Sequence, residues 1–425
     1  MKKVLSIVLT LALLVGLVGC LGGCDSEPKP LRICVDGISD TECEKLLAAI
    51  EAQGGPTDIE FDILTVDDAN ERSMQLTRLR TEIMSGQGPD AYIMTWLGAD
   101  GLFRFPEKNM ELGMFYPLDN FIENAQFMQF DEMLPQIMEL GKSEEYGQVL
   151  LPMSYWFPFS VYLESNDLPQ LSADLTWYDL LNSSNSVFQV DTAAHQTYRD
   201  DYAFSGMPYL DLTFGQLGDY QAKKLSFTEE ELLGRIYEIL EQEEKHRNGE
   251  FDDAPEHYDV YTLNSSLYDL NANYFIENIS DFVGKSEALQ HEDLAFIPIY
   301  SDDGGITAQA TSFCAIDATT KRAKDAFFVL DVLMSKEYLR LSEFCAQADP
   351  YKDYQTVLND ANFAKYTELQ NQISNVHFSS ALNTEMIELF DKAANIYYGY
   401  EDGSEDDIAK LVTDAYRTMR QSMSE

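Results

Sequence analysis

Between Leu31 and Thr95 the chain alternates between two hydrophobic periods, and this alternation restricts the fold more than any other feature of the sequence. Leu31–Gly37 (LRICVDG) is a short β-branched run ending on Asp-Gly. Thr41–Gln53 carries Leu46, Leu47 and Ile50 at helical spacing and stops at Gly54-Gly55-Pro56. Ile59–Val66 alternates Ile59, Phe61 and Ile63 and predicts a second strand. Asp67–Gly86 predicts a second helix with Leu76, Leu79 and Ile83 on one face and a glycine stop. Asp90–Thr95 (DAYIMT) follows at once as a third strand. Parallel neighbours need a crossover, and the intervening helices supply it, so this order predicts a parallel, doubly wound α/β sheet.

The rest of the chain is compatible with a folded body of two or three domain-sized units. Of 425 residues, 45% are hydrophobic and 12% aromatic, which is enough to build a core. Phe227–Glu231 contains a Thr-x-x-Glu capping box ahead of an apolar stripe at Leu232, Leu233, Ile236, Ile239 and Leu240. Thr176–Asp179 opens another helix, in which Trp177 reads as packing, and Leu294–Pro298 reads as a strand. After Lys321 the pattern is mainly helical: 323–334, 335–346, 363–370, 384–397 and 405–423. A formal net charge of −44 would repel phosphate backbones, so nucleic acid is not an expected partner. The acidic clusters at Glu229–Glu231, Glu241–Glu244 and Glu405–Asp407 read as solvated helix faces. Cys34, Cys43, Cys314 and Cys345 show no Cys-x-x-Cys spacing, and the five histidines are scattered, so neither a zinc site nor any cofactor is expected. Cys34 and Cys43 are close enough in sequence to pair as a disulfide; buried free thiols are the alternative.

The first twenty residues have the layout of an export signal. Lys2 and Lys3 precede an uncharged, mostly apolar run from Val4 to Val18, shorter than the ~20 residues of a membrane span. The run ends on Leu17-Val18-Gly19-Cys20, which resembles a bacterial lipoprotein signal. The resemblance implies removal of residues 1–19, lipidation of Cys20 (Cys24 is the alternative) and a body held at the outer face of the cytoplasmic membrane. Asp25–Pro30 would be the tether, and the lipid the only membrane contact. Loss of Lys2 and Lys3 takes the net charge from −44 to −46.

Gly86-Gln87-Gly88-Pro89-Asp90, between helix and strand, resembles the G-x-G-P-D turn of the extracellular solute-binding proteins of ABC importers, in particular the carbohydrate-binding family 1. In such a turn the glycines permit the reversal, Pro89 sets the strand entry and Asp90 bonds turn amides. Further segments resemble that family in the same order: Tyr116–Phe121, Tyr146–Pro152, Val161–Leu163, Leu175–Leu181, Asp293–Pro298, Asp303–Gly305, Cys314–Ile316, Ala323–Met334 and Gly399–Met419. The small-residue segment that normally leads into the second lobe's binding wall is missing from Asn264–Ser286. The resemblance implies a two-lobe α/β fold of the periplasmic-binding-protein type, with a ligand cleft between lobes and a helical C-terminal region. Lobe one would hold residues 31–155 and 315–349, and lobe two 156–311 and 350–425, with crossings near 156–162 and 312–316. The implied role is a monomeric, non-enzymatic capture protein that passes a sugar or oligosaccharide to ABC permease subunits.

Ligands of open parallel sheets meet the loops at the carboxyl ends of the strands. Those positions here are Asp36, Asp67, and Trp96 with Asp100. An indole can stack on a sugar's C–H face while carboxylates accept its hydroxyl protons; Trp96 can alternatively be core, and Asp36 and Asp67 helix caps. Tyr155 and Trp156 lie at the first crossing and read as cleft floor or as hinge packing. Tyr209, Tyr268 and Asp303 are the second-lobe candidates. Other readings keep a surface-anchored glycoside-acting enzyme, a peptide or polyamine ligand, or presentation of ligand to a sensor kinase. No G-x-S-x-G elbow, H-E-x-x-H helix or phosphate loop accompanies them.

Overall fold

A computed structural model of the chain describes residues 29–66, 68–157, 159–163, 210–247, 274–276, 294–345, 348–353 and 358–424. Its centre is a six-stranded mixed sheet. Strands β1 (Leu31–Asp36), β2 (Ile59–Leu64) and β3 (Ala91–Met94) pair in parallel, joined through helices α1 (Asp40–Ala52) and α2 (Ala69–Met84), as the periodicity predicts. Ser39 caps α1, and Asp68, accepting from the amides of Asn70 and Glu71, caps α2.

Two short hairpins, β4 (Lys142–Ser143) with β5 (Gly147–Gln148) and β8 (Gly218–Asp219) with β9 (Lys224–Leu225), lie outside the main sheet. Strand β6 (Leu150–Trp156) belongs to it, whereas β7 (Phe159–Leu163) pairs with β10 (Tyr274–Ile276) and β11 (Leu294–Pro298) in a separate three-stranded sheet. The long strand β12 (Ile306–Ile316) ties the main sheet together. One edge of β12 pairs antiparallel with β6. Along the other edge, Ile306–Ala310 pair parallel with β13 (Ile373–Phe378), and Phe313–Ile316 pair antiparallel with β3. The carboxyl ends of β3 and β13 therefore meet head to head on β12, where Gly98 bridges Ser380.

Strand β13 is absent from the helical reading of the C-terminal third. Its sequence, ISNVHF, has no clean two-residue alternation and lies between helices α5 (Asp360–Gln370) and α6 (Ala381–Tyr397). The helix expected over 335–346 is confined to Lys336–Leu339, after which Arg340 turns to pair with Asp349 at 2.6 Å. The capping box at Thr228 and Glu231 forms as expected and starts α3 (Glu229–Arg247).

Helices cover both faces of the parallel strands. Leu31, Ile33 and Val35 point to one face, with Leu46 and Ile50 of α1 and Phe327 and Leu330 of α4 (Ala323–Leu333). Cys34 points to the other face, with Leu76 and Leu79 of α2 and a group of aromatic rings. Tyr92 meets Phe103 edge-on at 4.8 Å, and Phe313 meets Phe378 at 5.4 Å; each such contact contributes about 0.5–1.5 kcal/mol beyond burial. Because Cys43 sits in the first cluster and Cys34 in the second, the sheet separates them, and both are free thiols. A separate core joins α3, α6 and α7 (Glu405–Ser424) through Leu232, Ile236, Phe390 and Val412. Among the described residues no helix is long and apolar enough to cross a membrane.

Asp90 does not serve its own turn. Its carboxylate accepts from the amide of Arg32 in β1 at 3.0 Å and from the Thr320 hydroxyl, joining β1 to the segment after β12.

Candidate functional site

The carboxyl ends of β1, β3 and β13 converge, and the side chain that organises the convergence is Arg72, in the first turn of α2. Its guanidinium donates to Asp36 Oδ1 at 2.7 Å and Oδ2 at 2.9 Å, to the Thr65 carbonyl at 3.2 Å and to the Asp100 carbonyl at 2.9 Å. Its Cζ lies 5.5 Å from the centre of the Trp96 ring, within cation–π range. Three expected site residues, Asp36, Trp96 and Asp100, are thus held by one arginine that the sequence reading did not single out. A lone arginine on an amphipathic helix reads as a solvated position, and no local motif distinguishes it.

The three residues differ in what they can offer a ligand. Asp36 is fully buried and its oxygens are engaged by Arg72, so neither a ligand contact nor a helix cap describes it. Burial pushes its carboxyl up, and Arg72 pulls in the opposite direction. Asp100 is exposed and gives Arg72 its carbonyl, leaving the carboxylate outside that contact. Trp96 is 47% exposed, so it is a surface aromatic at the end of β3 and not core.

Two glycines permit this geometry. Gly37 has φ +81°, and a Cβ there would stand 2.5 Å from Thr95 Oγ1, which itself donates to the Asp36 carbonyl. Gly98 has φ +106° and lies against Thr384 Oγ1, which accepts from the Ala99 amide at 3.2 Å.

A polar row crosses the neighbouring strands. Trp156 of β6 and His377 of β13 both stand opposite Gln309 of β12. The half-buried Trp156 indole donates to Gln309 Oε1 at 3.1 Å. The amides of Gln309 and Asn383 lie 3.4 and 3.3 Å from His377 Nε2, and both donate to Asp211 Oδ2. Amide donors facing Nε2 place the histidine proton on Nδ1, which is buried without a partner. Burial pushes His377 down to about 4, so the ring is neutral at pH 7.

Tyr155 does not share this row. It is fully buried, accepts from Gln370 Nε2 at 2.7 Å and stacks on Phe157. Adjacent strand residues face opposite ways, so Tyr155 and Trp156 cannot both line one surface. Asp303 lies before β12, at the far end of its pairing with β13 from Trp96. There it braces a turn, accepting from Ser301 Oγ at 2.7 Å and Asn375 Nδ2 at 2.9 Å. Asp67, Tyr209, Tyr268, Trp177, Cys20 and Cys24 lie outside the described residues. Among the described residues no group of three His, Cys, Asp or Glu side chains is placed to hold a metal ion.

No protein-family model matches the sequence, and no curated protein matches it. Solved structures do match in three dimensions. The periplasmic solute binding protein ECA2210 of Pectobacterium atrosepticum is 17% identical, with TM-score 0.54 over 93% of this chain and 100% of its own. A periplasmic oligogalacturonide binding protein of Yersinia enterocolitica is 16% identical, with TM-score 0.55 over 93% and 100%. The fold is that of the solute-binding proteins. A de novo designed cysteine esterase, ECH19, aligns over 93% of this chain and 100% of its own at 14% identity and TM-score 0.57. At these identities the likeness is one of architecture, and the solute-binding fold leaves the chemistry to be argued from side chains. In this chain those are the Arg72-held Trp96 and Asp100, and the row from Trp156 to His377.

Proposed function

We propose that this chain is an extracellular solute-binding protein that captures a small solute, a sugar or oligosaccharide, between two lobes. Lobe one comprises residues 31–155 with 315–349, and lobe two 156–311 with 350–425. Cys20, or alternatively Cys24, carries a lipid that holds the protein at the outer face of the membrane. The closed, liganded monomer delivers its solute to ABC permease subunits and performs no chemistry on it. The observation that carries the reading is Trp96, a half-exposed indole at the carboxyl end of β3 held by Arg72. An aromatic face with the Asp100 carboxylate nearby in sequence suits a sugar ring and its hydroxyls. The oligogalacturonide binding of the Yersinia protein that shares the fold supports a carbohydrate over other solutes.

A thermal-shift screen over mono- and oligosaccharides, with peptides and polyamines as controls, tests this reading. At a hundredfold excess over Kd a true ligand adds about 2.7 kcal/mol to native stability, so the melting temperature rises by several degrees. A response confined to peptides or polyamines, or turnover of a chromogenic glycoside, would overturn it.

A further inference from the structure

The strip from Gly98 to Glu111 is stitched to segments from much later in the chain, and one carboxyl group sits inside the seam. Gly98 bridges Ser380, the Ala381 amide donates to the Arg104 carbonyl at 2.9 Å, and Lys108 Nζ donates to the Ser422 carbonyl at 3.0 Å. Phe105 packs on Tyr220 of the β8–β9 hairpin, with ring centres 6.4 Å apart. Between these contacts Glu107 Oε1 accepts from the Phe378 amide at 2.8 Å, while Oε2 is buried without a hydrogen-bond partner.

The groups around Glu107 do not neutralise it. On its own segment, Lys108 is directed to Ser422, Arg104 lies over the Phe105 ring at 5.8 Å, and Glu111 accepts from Gln221. From β13, His377 is neutral and faces Gln309 and Asn383. From α6, Ser380 bonds the Tyr220 hydroxyl, and Glu385 interacts with Glu388, Lys392 and Arg104. From the β8–β9 hairpin, Tyr220 is pushed further up by the Glu107 charge. From the end of α7 the Ser422 carbonyl accepts from Lys108, and the Ser424 carbonyl accepts from Lys223 of the β8–β9 hairpin at 3.3 Å. A neutral acid fits such a site at far lower cost than an ion with one orphaned oxygen.

We propose that Glu107 is a proton-operated latch: protonated, it holds the 98–111 strip against β13 and the C-terminal helices, and ionised, it releases that seam. The strip begins beside Trp96, so the latch sets how firmly the aromatic end of the site is held. Burial pushes the Glu107 carboxyl from 4.5 up to about 7. A released carboxyl regains its ordinary value, so the opening constant rises about tenfold per pH unit from pH 4.5 to 7 and then levels.

Amide hydrogen exchange on the full soluble body, without ligand, reads this opening at Ala99, Phe378 and Ala381. After correction for intrinsic exchange, protection falls about tenfold per unit between pH 5 and 7 in the parent and stays flat in Glu107→Gln. The same slope in both proteins, or no slope in the parent, overturns the latch. Should Glu107→Gln fail to fold, carbon-13 titration of glutamate carboxyls in the parent decides. One carboxyl titrating near pH 7 supports the latch, and all titrating below pH 5 overturns it. Neither measurement uses a solute, so failure here is separate from failure of the solute-binding reading.

Discussion

Arg72 and Asp36, thirty-six positions apart in the chain, form a buried two-pronged ion pair at 2.7 and 2.9 Å on which the loop after β3 is hung. The pair joins the end of β1 to the start of α2 and presents its outer face to Trp96. Removing either partner strands the other charge away from water, which costs more than the pair gains by forming.

Arg72→Met is therefore expected to lose about 3–5 kcal/mol of unfolding free energy. Arg72→Met combined with Asp36→Asn should recover at least half of that loss, since no buried charge remains. Urea unfolding of the two single variants and the double variant gives the coupling; additive losses would show that the pair is not a unit.

Trp96→Ala removes an exposed ring, so its effect on stability should be within about 1 kcal/mol, the scale of one cation–π contact. Its effect on solute affinity should be larger, at least tenfold or about 1.4 kcal/mol. Calorimetric titration with the sugar that gives the largest thermal shift measures the affinity, and urea unfolding of the same preparation measures the stability. Unchanged affinity would remove Trp96 from the site.

His377 and Glu107 give opposite pH dependences of stability. The His377 value falls from 6.5 to about 4 on folding, so the unfolded chain binds more protons, and stability is lost as pH drops through that window. The Glu107 value rises from 4.5 to about 7, so its contribution is lost as pH rises through that window. The two largely cancel between pH 4.5 and 6.5. In His377→Gln stability should fall toward pH 7, and in Glu107→Gln it should fall toward pH 4.5, each by roughly 2–3 kcal/mol. Denaturant midpoints at half-unit pH steps distinguish these slopes from parallel curves.

Cys34 and Cys43 should resist alkylation in the native protein and react fully in urea, with the same mass before and after reductant. Burial pushes the Cys34 thiol well up and Cys43 up to about 12, so neither supplies thiolate near pH 8. Mass spectrometry after iodoacetamide treatment checks this; a two-hydrogen mass gain at these residues on reduction would contradict it.

Short-range patterns make part of the fold legible in the sequence. The βαβαβ order from Leu31 to Met94 follows from the spacing of Leu46 and Ile50, of Ile59 and Phe61, and of Leu76 and Leu79. The Thr228–Glu231 cap was equally legible, since both partners lie within one helical turn. Strand alternation alone also separates two pairs of residues. Tyr155 and Trp156 are neighbours on β6 and face opposite ways, and Cys34 points away from the face that its neighbours Ile33 and Val35 share with Cys43. Arg72, the Gln309–His377 row and strand β13 had no such local signal.

By itself the sequence determined the parallel core, the Thr228–Glu231 cap and the exposure-tolerant Trp96 at a strand's carboxyl end, because periodicity and capping depend on residues a few positions apart. Only the tertiary structure decided that β13 would meet β3 head to head on β12, that Arg72 would close on Asp36, and that Glu107 would be sealed against Phe378. Those outcomes turn on which distant surfaces pack together and exclude water, and the burial that follows sets the charge states of the groups enclosed.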